Sequence, residues 1–441
     1  MHYVGGIVGL VSKDSGVEHV EFQNNINGKD VVIQATGGAR VLYIGGLIGE
    51  NNCSTTIVDL TNDTGSILGT IKGGNVENSA TYGTASFGGY VGATVQTMTI
   101  KGTTEGANIE LDYTAAKNAL RHCHGGVIGS STVAGLVVEN AESNNYIKVT
   151  AGSAAHKYVE TGMGGILGYA LKGGVTITNS TSNCPITWNK GNGKSNGYPC
   201  YTGGIIGYIV EGDATITGCH NTADLKNCFY NNNGYAAGSK PCSTGGILGG
   251  FGWLTETGAL TITNCSNTGK LYAMRGCLGG ITGSVRNATI SGCTFTEGEI
   301  YNAGSDANLQ GVVGGISSGV RNSTITDCTV KANMIAGING SVLYRAGGIA
   351  GVMEGTSSID NCAYFGTISH YNQDAAKVEY YGGIAGMAEN TTAIKNSKFG
   401  GTIWGTAITA DNYENYIANM VTNGGTEYEA QIENCTYWDG N

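Results

Sequence analysis

Three short phrases return in a fixed order from one end of this chain to the other, and they limit its fold more than any other property. The first is Gly-Gly-aliphatic-x-Gly, as in Gly203-Gly204-Ile205-Ile206-Gly207, with copies beginning at Gly5, Gly45, Gly88, Gly125, Gly164, Gly203, Gly245, Gly279, Gly314, Gly347 and Gly382. The second is x-Thr-Ile-x-Asn-Cys, clearest at Thr176-Ile177, Thr215-Ile216, Thr261-Ile262, Thr289-Ile290 and Thr324-Ile325. The third, a relative of Asn-x-Gly-x-Ile, closes on Ile67, Ile109, Ile147, Ile186, Leu225, Leu271, Ile300, Ile335, Ile368 and Ile403. One unit of this size cannot bury its own apolar face, so repetition at such a period means stacked neighbours around a continuous core.

Each phrase is short, alternating and rich in β-branched residues, and no stretch holds a 3.6-residue period, so the units are strands. Phrase two leads to phrase three after about 9 or 10 residues, whereas phrase three leads to the next glycine pair after roughly 8 to 21, so one edge accepts insertions. The expectation is an all-β protein: a parallel β-solenoid, β-helix-like, of about eleven coils with variable loops on one edge. At ~4.8 Å per coil the rod would be about 50 Å long. It forms one domain over residues 1–441, and because both ends fall inside repeat units it reads as a fragment of a longer array. A propeller would need four antiparallel strands per blade and tight Asn-Gly hairpins, which are largely missing.

Alternation sets the core. Ile166, Ile205, Ile247, Ile281 and Ile349 should form one inward ladder and Ile177, Ile216, Ile262, Ile290 and Ile325 another, with the flanking threonines in water. The glycine pair marks a corner that needs either a positive φ or close approach between coils. Asn179, Asn264, Asn361, Asn396 and Asn434 share one register, where amides can bond from coil to coil. The next register holds Cys219, Cys265, Cys293, Cys328, Cys362 and Cys435, with Ser180 and Ser397 interspersed.

Composition narrows function. Glycine makes up 75 of 441 residues against 3 prolines, without a Gly-X-Y period, which excludes collagen and proline-rich disorder. Charged residues are only 13% and the net charge is −10, so no basic stripe exists and nucleic acid is not an expected partner. The apolar runs of about four to six residues fall well short of the ~20 that a spanning helix requires, so membrane insertion is not expected either.

Recurrence of Gly-Gly-Ile-x-Gly with Thr-Ile-x-Asn-Cys resembles the GLUG-motif repeats of large bacterial surface proteins, and the resemblance covers essentially the whole chain. The copies Gly314-Gly315-Ile316-Ser317-Ser318 and Gly424-Gly425-Thr426 depart from the motif. The family implies a bacterial cell-surface or secreted, extracellular location and a role as adhesin or stalk. It supplies no catalytic residues, and the His-Glu-x-x-His zinc signature of peptidases that carry such repeats is absent.

Candidate chemistry is sparse. No Cys-x-x-Cys occurs among the 13 cysteines, so no metal or other cofactor is expected, and the cysteine register reads as an inward ladder of small apolar groups. Cys184 with Cys200, and Cys228 with Cys242, each bracket a long insertion; a disulfide there and a pair of free thiols both fit. His122 and His124 lie on one side of a strand as two zinc ligands would, but without a third ligand they read as solvated edge residues. The carboxylates are scattered, so a carbohydrate lyase or hydrolase is the alternative and a non-enzymatic role the expectation. A lesser alternative is ice binding by the parallel threonine rows of phrase two. The variable edge holds most of the tyrosines, and Trp188, Tyr198, Tyr201, Phe229, Tyr230, Asn232 and Tyr235 are the candidate contacts for a host or microbial surface glycan or protein.

Overall fold

The computed structural model describes residues 2–13, 17–25, 28, 30–34, 41–58, 69–73, 83–102, 106–113, 120–151, 159–190, 200–227, 242–252, 257–273, 276–302, 311–336, 344–369, 380–389, 391–421 and 431–441. Within them the chain is a parallel β-solenoid in which every coil repeats one itinerary. In a central coil, Val159–Gly164 lies on a first sheet, Leu167–Ala170 on a second, Val175–Thr178 on a third, and Thr181–Ser182 and Ile186–Lys190 on a fourth. Equivalent strands of successive coils pair in parallel, giving 11, 12 and 12 strands in the first three sheets. One antiparallel pairing is present among the described strands, between Lys398–Ile403 and Thr406–Ile408. In the last coil a 3-10 turn, Tyr413–Tyr416, stands where a first-sheet strand would be. No helix among the described residues is long and apolar enough to cross a membrane. The insertions at 191–199, 228–241, 303–310, 337–343 and 370–379 all fall between a fourth-sheet strand and the next first-sheet strand.

Both expected isoleucine ladders are in place. Ile166, Ile205, Ile247, Ile281 and Ile349 are fully buried, as are Ile177, Ile216, Ile262, Ile290 and Ile325. The second set stacks residue on residue through five coils. Each such side chain contributes about 1.5–3 kcal/mol by leaving water. Phrase three does not always close on the inward residue: Ile109 pairs with Ile71, Ile67 lying outside the described residues, and Ile300 pairs with Met334, while Ile335 pairs with Tyr301 on the outer side. Val330, Ala332, Met334 and Ala336 are the buried alternates of that strand, so the two-residue period places Met334 inward in spite of its aliphatic neighbour.

The glycine pair serves close approach and not a left-handed backbone, because neither member adopts positive φ. A Cβ on Gly203 would lie 1.9 Å from the Ile206 carbonyl oxygen, and one on Gly204 would lie 2.1 Å from the Gly246 carbonyl oxygen of the next coil. The second glycine also faces the first residue of the fourth-sheet ladder across a narrow core: Ser182 at Gly165, Asn221 at Gly204, Phe295 at Gly280, Tyr364 at Gly348 and Phe399 at Gly383. The third glycine interrupts the alternation, so that Ile206 and Ile209 both enter the core while Tyr208 points out.

Left-handed backbone appears instead at the corner from third to fourth sheet. Asn140, Asn179, Gly218, Asn264, Gly292, Asp327, Asn361, Asn396 and Asn434 all have φ between 46° and 61° there. Asparagine and aspartate tolerate this region and glycine enters it freely, which accounts for their alternation in one register. The coil-to-coil amide bonds also form, with Asn361 Nδ2 donating to Asp327 Oδ1 at 2.6 Å and Asn434 Nδ2 to Asn396 Oδ1 at 3.2 Å. Beside them the cysteine ladder points inward as free thiols, each donating to the carbonyl two residues earlier, for example Cys328 to Thr326 O at 3.2 Å.

Candidate ligand-binding site

The sequence places binding on the insertion edge, and the geometry alters that picture. Trp188 is fully buried: in Ile186–Lys190 the alternation turns Ile186 and Trp188 to the core, in register with Val149 below and Asn227 above. Tyr201 is also enclosed, stacked on Tyr208 with ring centroids 3.8 Å apart, so neither aromatic offers a face to a ligand. Tyr198, Phe229, Tyr230, Asn232 and Tyr235 lie outside the described residues. Cys184, Cys200 and Cys242 are free, so no Cys184–Cys200 bridge closes the first insertion, and Cys228 lies outside the described residues.

His122 and His124 are not edge residues. The first-sheet register stacks His124 between Phe87 and Met163, inside the core. Both rings are fully buried, 5.8 Å apart, and His122 meets the Trp188 indole edge-on at 6.3 Å. Burial pushes the His124 pKa down to about 3, partly countered by its backbone hydrogen bond. Among the described residues no three His, Cys, Asp or Glu side chains converge as metal ligands do.

Outside the core, a second apolar patch lies where the first and second sheets meet. Cys123, Tyr169, Tyr201, Tyr208 and Val210 form a small apolar cluster there, with the Arg121 guanidinium 5.0 Å from the Tyr169 ring centre. Farther along, Arg286, Arg321 and Glu354 stack in register, and Glu389 follows Ala388, the partner of Met353. Burial raises the Glu354 pKa and the charge of Glu389 raises it further, against the opposing pull of Arg321, Arg286 and Arg345. This is a carboxylate pair that the scattered sequence positions conceal.

The threonine rows of phrase two do face outward on the third sheet. Thr176, Thr215, Thr261, Thr289 and Thr324 form one row. The parallel row from Thr178 to Thr326 ends at Glu139 on one side and Asp360 on the other.

A cleft of about 450 Å³ opens on the fourth sheet, within the range typical of small-ligand sites. Its origin is a change in the inward ladder. In the central coils Asn221 and Asn267 bond the backbone at the fourth-sheet corner through Ala223 O and Gly269 O, and the strand breaks in two. From Phe295 onward the same ladder holds Val330, Tyr364 and Phe399, without an amide, and each coil carries one longer, bent strand: Thr294–Asn302, Thr329–Ala336, Ala363–Ser369 and Lys398–Ile403. Small residues Gly298, Ala332, Gly366 and Gly401 line the bend. A Cβ on Gly366 would lie 2.2 Å from Ala332 O, so the backbones close up and leave a trough on the outer side.

Around that trough stand Glu297, Lys331, Asn333, Phe365, Thr367 and Thr402. Asn333 Oδ1 accepts from the Thr367 amide at 3.0 Å, which fixes its orientation. Lys331 donates from Nζ to Gly440 O at 2.8 Å and sits 5.1 Å from the Trp438 ring centre. Phe365 is half-buried, edge-on to Trp438 at 6.0 Å. Glu297 has φ 66°, and with Trp404 it is one of two described positive-φ residues that are neither Gly, Asn nor Asp. Comparison with protein-family models, curated proteins and solved structures yields no match.

Proposed function

We propose that the protein is a non-enzymatic rod of the extracellular bacterial surface, an adhesin or stalk, as its resemblance to GLUG-motif repeat proteins implies, and that it holds a glycan or protein partner along its side. The observation that carries this reading is the fourth-sheet cleft, which joins an aromatic ring to amide, hydroxyl and carboxylate groups on a surface otherwise poor in charge. Stacked coils suit such a role, because each added coil lengthens the rod without altering its cross-section. The test is to incubate the intact protein with host cells, microbial cells and insoluble polysaccharides, measuring retention and release of reducing ends together. Retention without release supports the reading, and failure to be retained by any surface refutes it.

One observation favours a second reading, a carbohydrate-active enzyme: Glu354 and Glu389 on adjacent coils, flanked by arginines, with one carboxyl held above its ordinary range as a general acid requires. Release of reducing ends by the wild type, abolished in E354Q or E389Q, would establish it.

A further inference from the structure

We propose that the fourth-sheet cleft is a saccharide subsite that binds a neutral pyranose ring, with Phe365 as its stacking platform. The inference rests on the binding role argued above and names its ligand.

Three features point to an uncharged polyol. The first is the platform: Phe365 lines the cleft and is half-buried, with Gly440 against its Cγ and Cδ atoms and the Trp438 carbonyl in the place of a side chain on its ladder partner Gly400. A flat apolar face of this kind suits the C–H face of a pyranose. The second is the balance of polar groups. Asn333, Thr367 and Thr402 supply neutral donors and acceptors on three successive coils, spaced by the ~4.8 Å rise. Glu297 is the exposed carboxylate, and Lys331, the one cation lining the cleft, already donates to Gly440 O and lies against Trp438. An acidic sugar would meet the Glu297 carboxylate without an uncommitted ammonium to offset it. Hydroxyl groups can use all of these side chains.

The third feature is the backbone at Glu297. A register shift between Thr296 and Glu299 sets Glu297 and Gly298 against the single residue Ala332, one extra residue in the strand, and Glu297 occupies the left-handed region that glycine, asparagine, Asp327 and Trp404 fill among the other described residues. A glutamate held there strains the backbone and glycine would relieve it, which points to a function for the carboxylate.

Affinity electrophoresis with soluble neutral polysaccharides (glucan, mannan, galactan and xylan) and polygalacturonate as the acidic control tests the proposal. The intact protein should be retarded by at least one neutral polymer and not by polygalacturonate. F365L, which keeps apolar packing but removes the flat ring, should weaken retardation by about tenfold. E297G should weaken it too, while its melting temperature stays level or rises because backbone strain is removed. Retardation by polygalacturonate alone, by no polymer, or equally by wild type, F365L and E297G overturns the assignment. Undiminished attachment of F365L and E297G to cells, with no change in polysaccharide retardation, would leave the adhesin reading standing and remove the cleft from it.

Discussion

His124 gives the solenoid a measurable acid sensitivity. Its ring is fully buried and its pKa is pushed from 6.5 down to about 3, so the unfolded chain takes up a proton far more readily than the folded one. The stability tied to the neutral ring is therefore fully present above pH 6.5 and is lost progressively as the pH falls toward 3. The whole span corresponds to about 5 kcal/mol, of which about 2 kcal/mol disappears between pH 7 and pH 5. Other groups titrate in the same range, so the informative quantity is a difference between variants. The ladder neighbours Phe87 and Met163 show which side chains this register accommodates, and H124M and H124F should fold. Urea unfolding followed by circular dichroism at pH 7, 6 and 5 should give wild-type stability that falls by about 2 kcal/mol more than that of either variant. A pH slope identical in wild type and both variants would mean that His124 is not held neutral in the core.

Two further outcomes follow from buried polar groups. The Tyr364 hydroxyl is buried, has no hydrogen-bond partner among the described residues, and has its pKa driven upward by burial, so Y364F should raise stability by about 1 kcal/mol in the same denaturation assay. Destabilisation by that amount would show that the hydroxyl is paired. The thiols of Cys219, Cys265, Cys293, Cys328 and Cys362 should resist alkylation until the protein unfolds, with the half-buried Cys242 and Cys435 reacting first in mass-spectrometric labelling. Rapid native-state modification of all five would contradict the inward ladder.

The coil architecture was legible because stacking repeats one side-chain pattern many times, and Ile177 through Ile325 need no information beyond their spacing. Legibility failed where one coil differs from its neighbours. Ile335 follows Met334 directly, and only pairing with Ile300 decides which of the two turns inward. His122 and His124 carry polar rings that hydropathy assigns to water, yet they share the inward register of Leu42 and Ile44 two coils away, and that alignment was the available signal. Trp188 read as part of an insertion because the strand end is invisible in sequence, although its two-residue offset from Ile186 marks it as inward. The corner glycines fit positive φ and close approach equally well in the sequence, and only the stacked coils decide for close approach, since steric contact between coils leaves no trace in a single repeat. The cleft was hidden for a related reason. Lys331 and Phe365, like Asn333 and Thr367, occupy equivalent positions in consecutive coils and come together only when the coils are superposed, as the bond between Asn333 and Thr367 across 34 positions shows.

The most direct test of a stack of equivalent coils is to remove two of them in register. Deleting residues 203–278 joins Thr202 to Gly279, which occupies the position of Gly203 and Gly245 in the first sheet. Small-angle X-ray scattering should then show a folded rod about 10 Å shorter with the same cross-section, and circular dichroism should remain that of a β protein. An unfolded chain, or a compact particle whose cross-section changes with the deletion, would contradict the stacked-coil account.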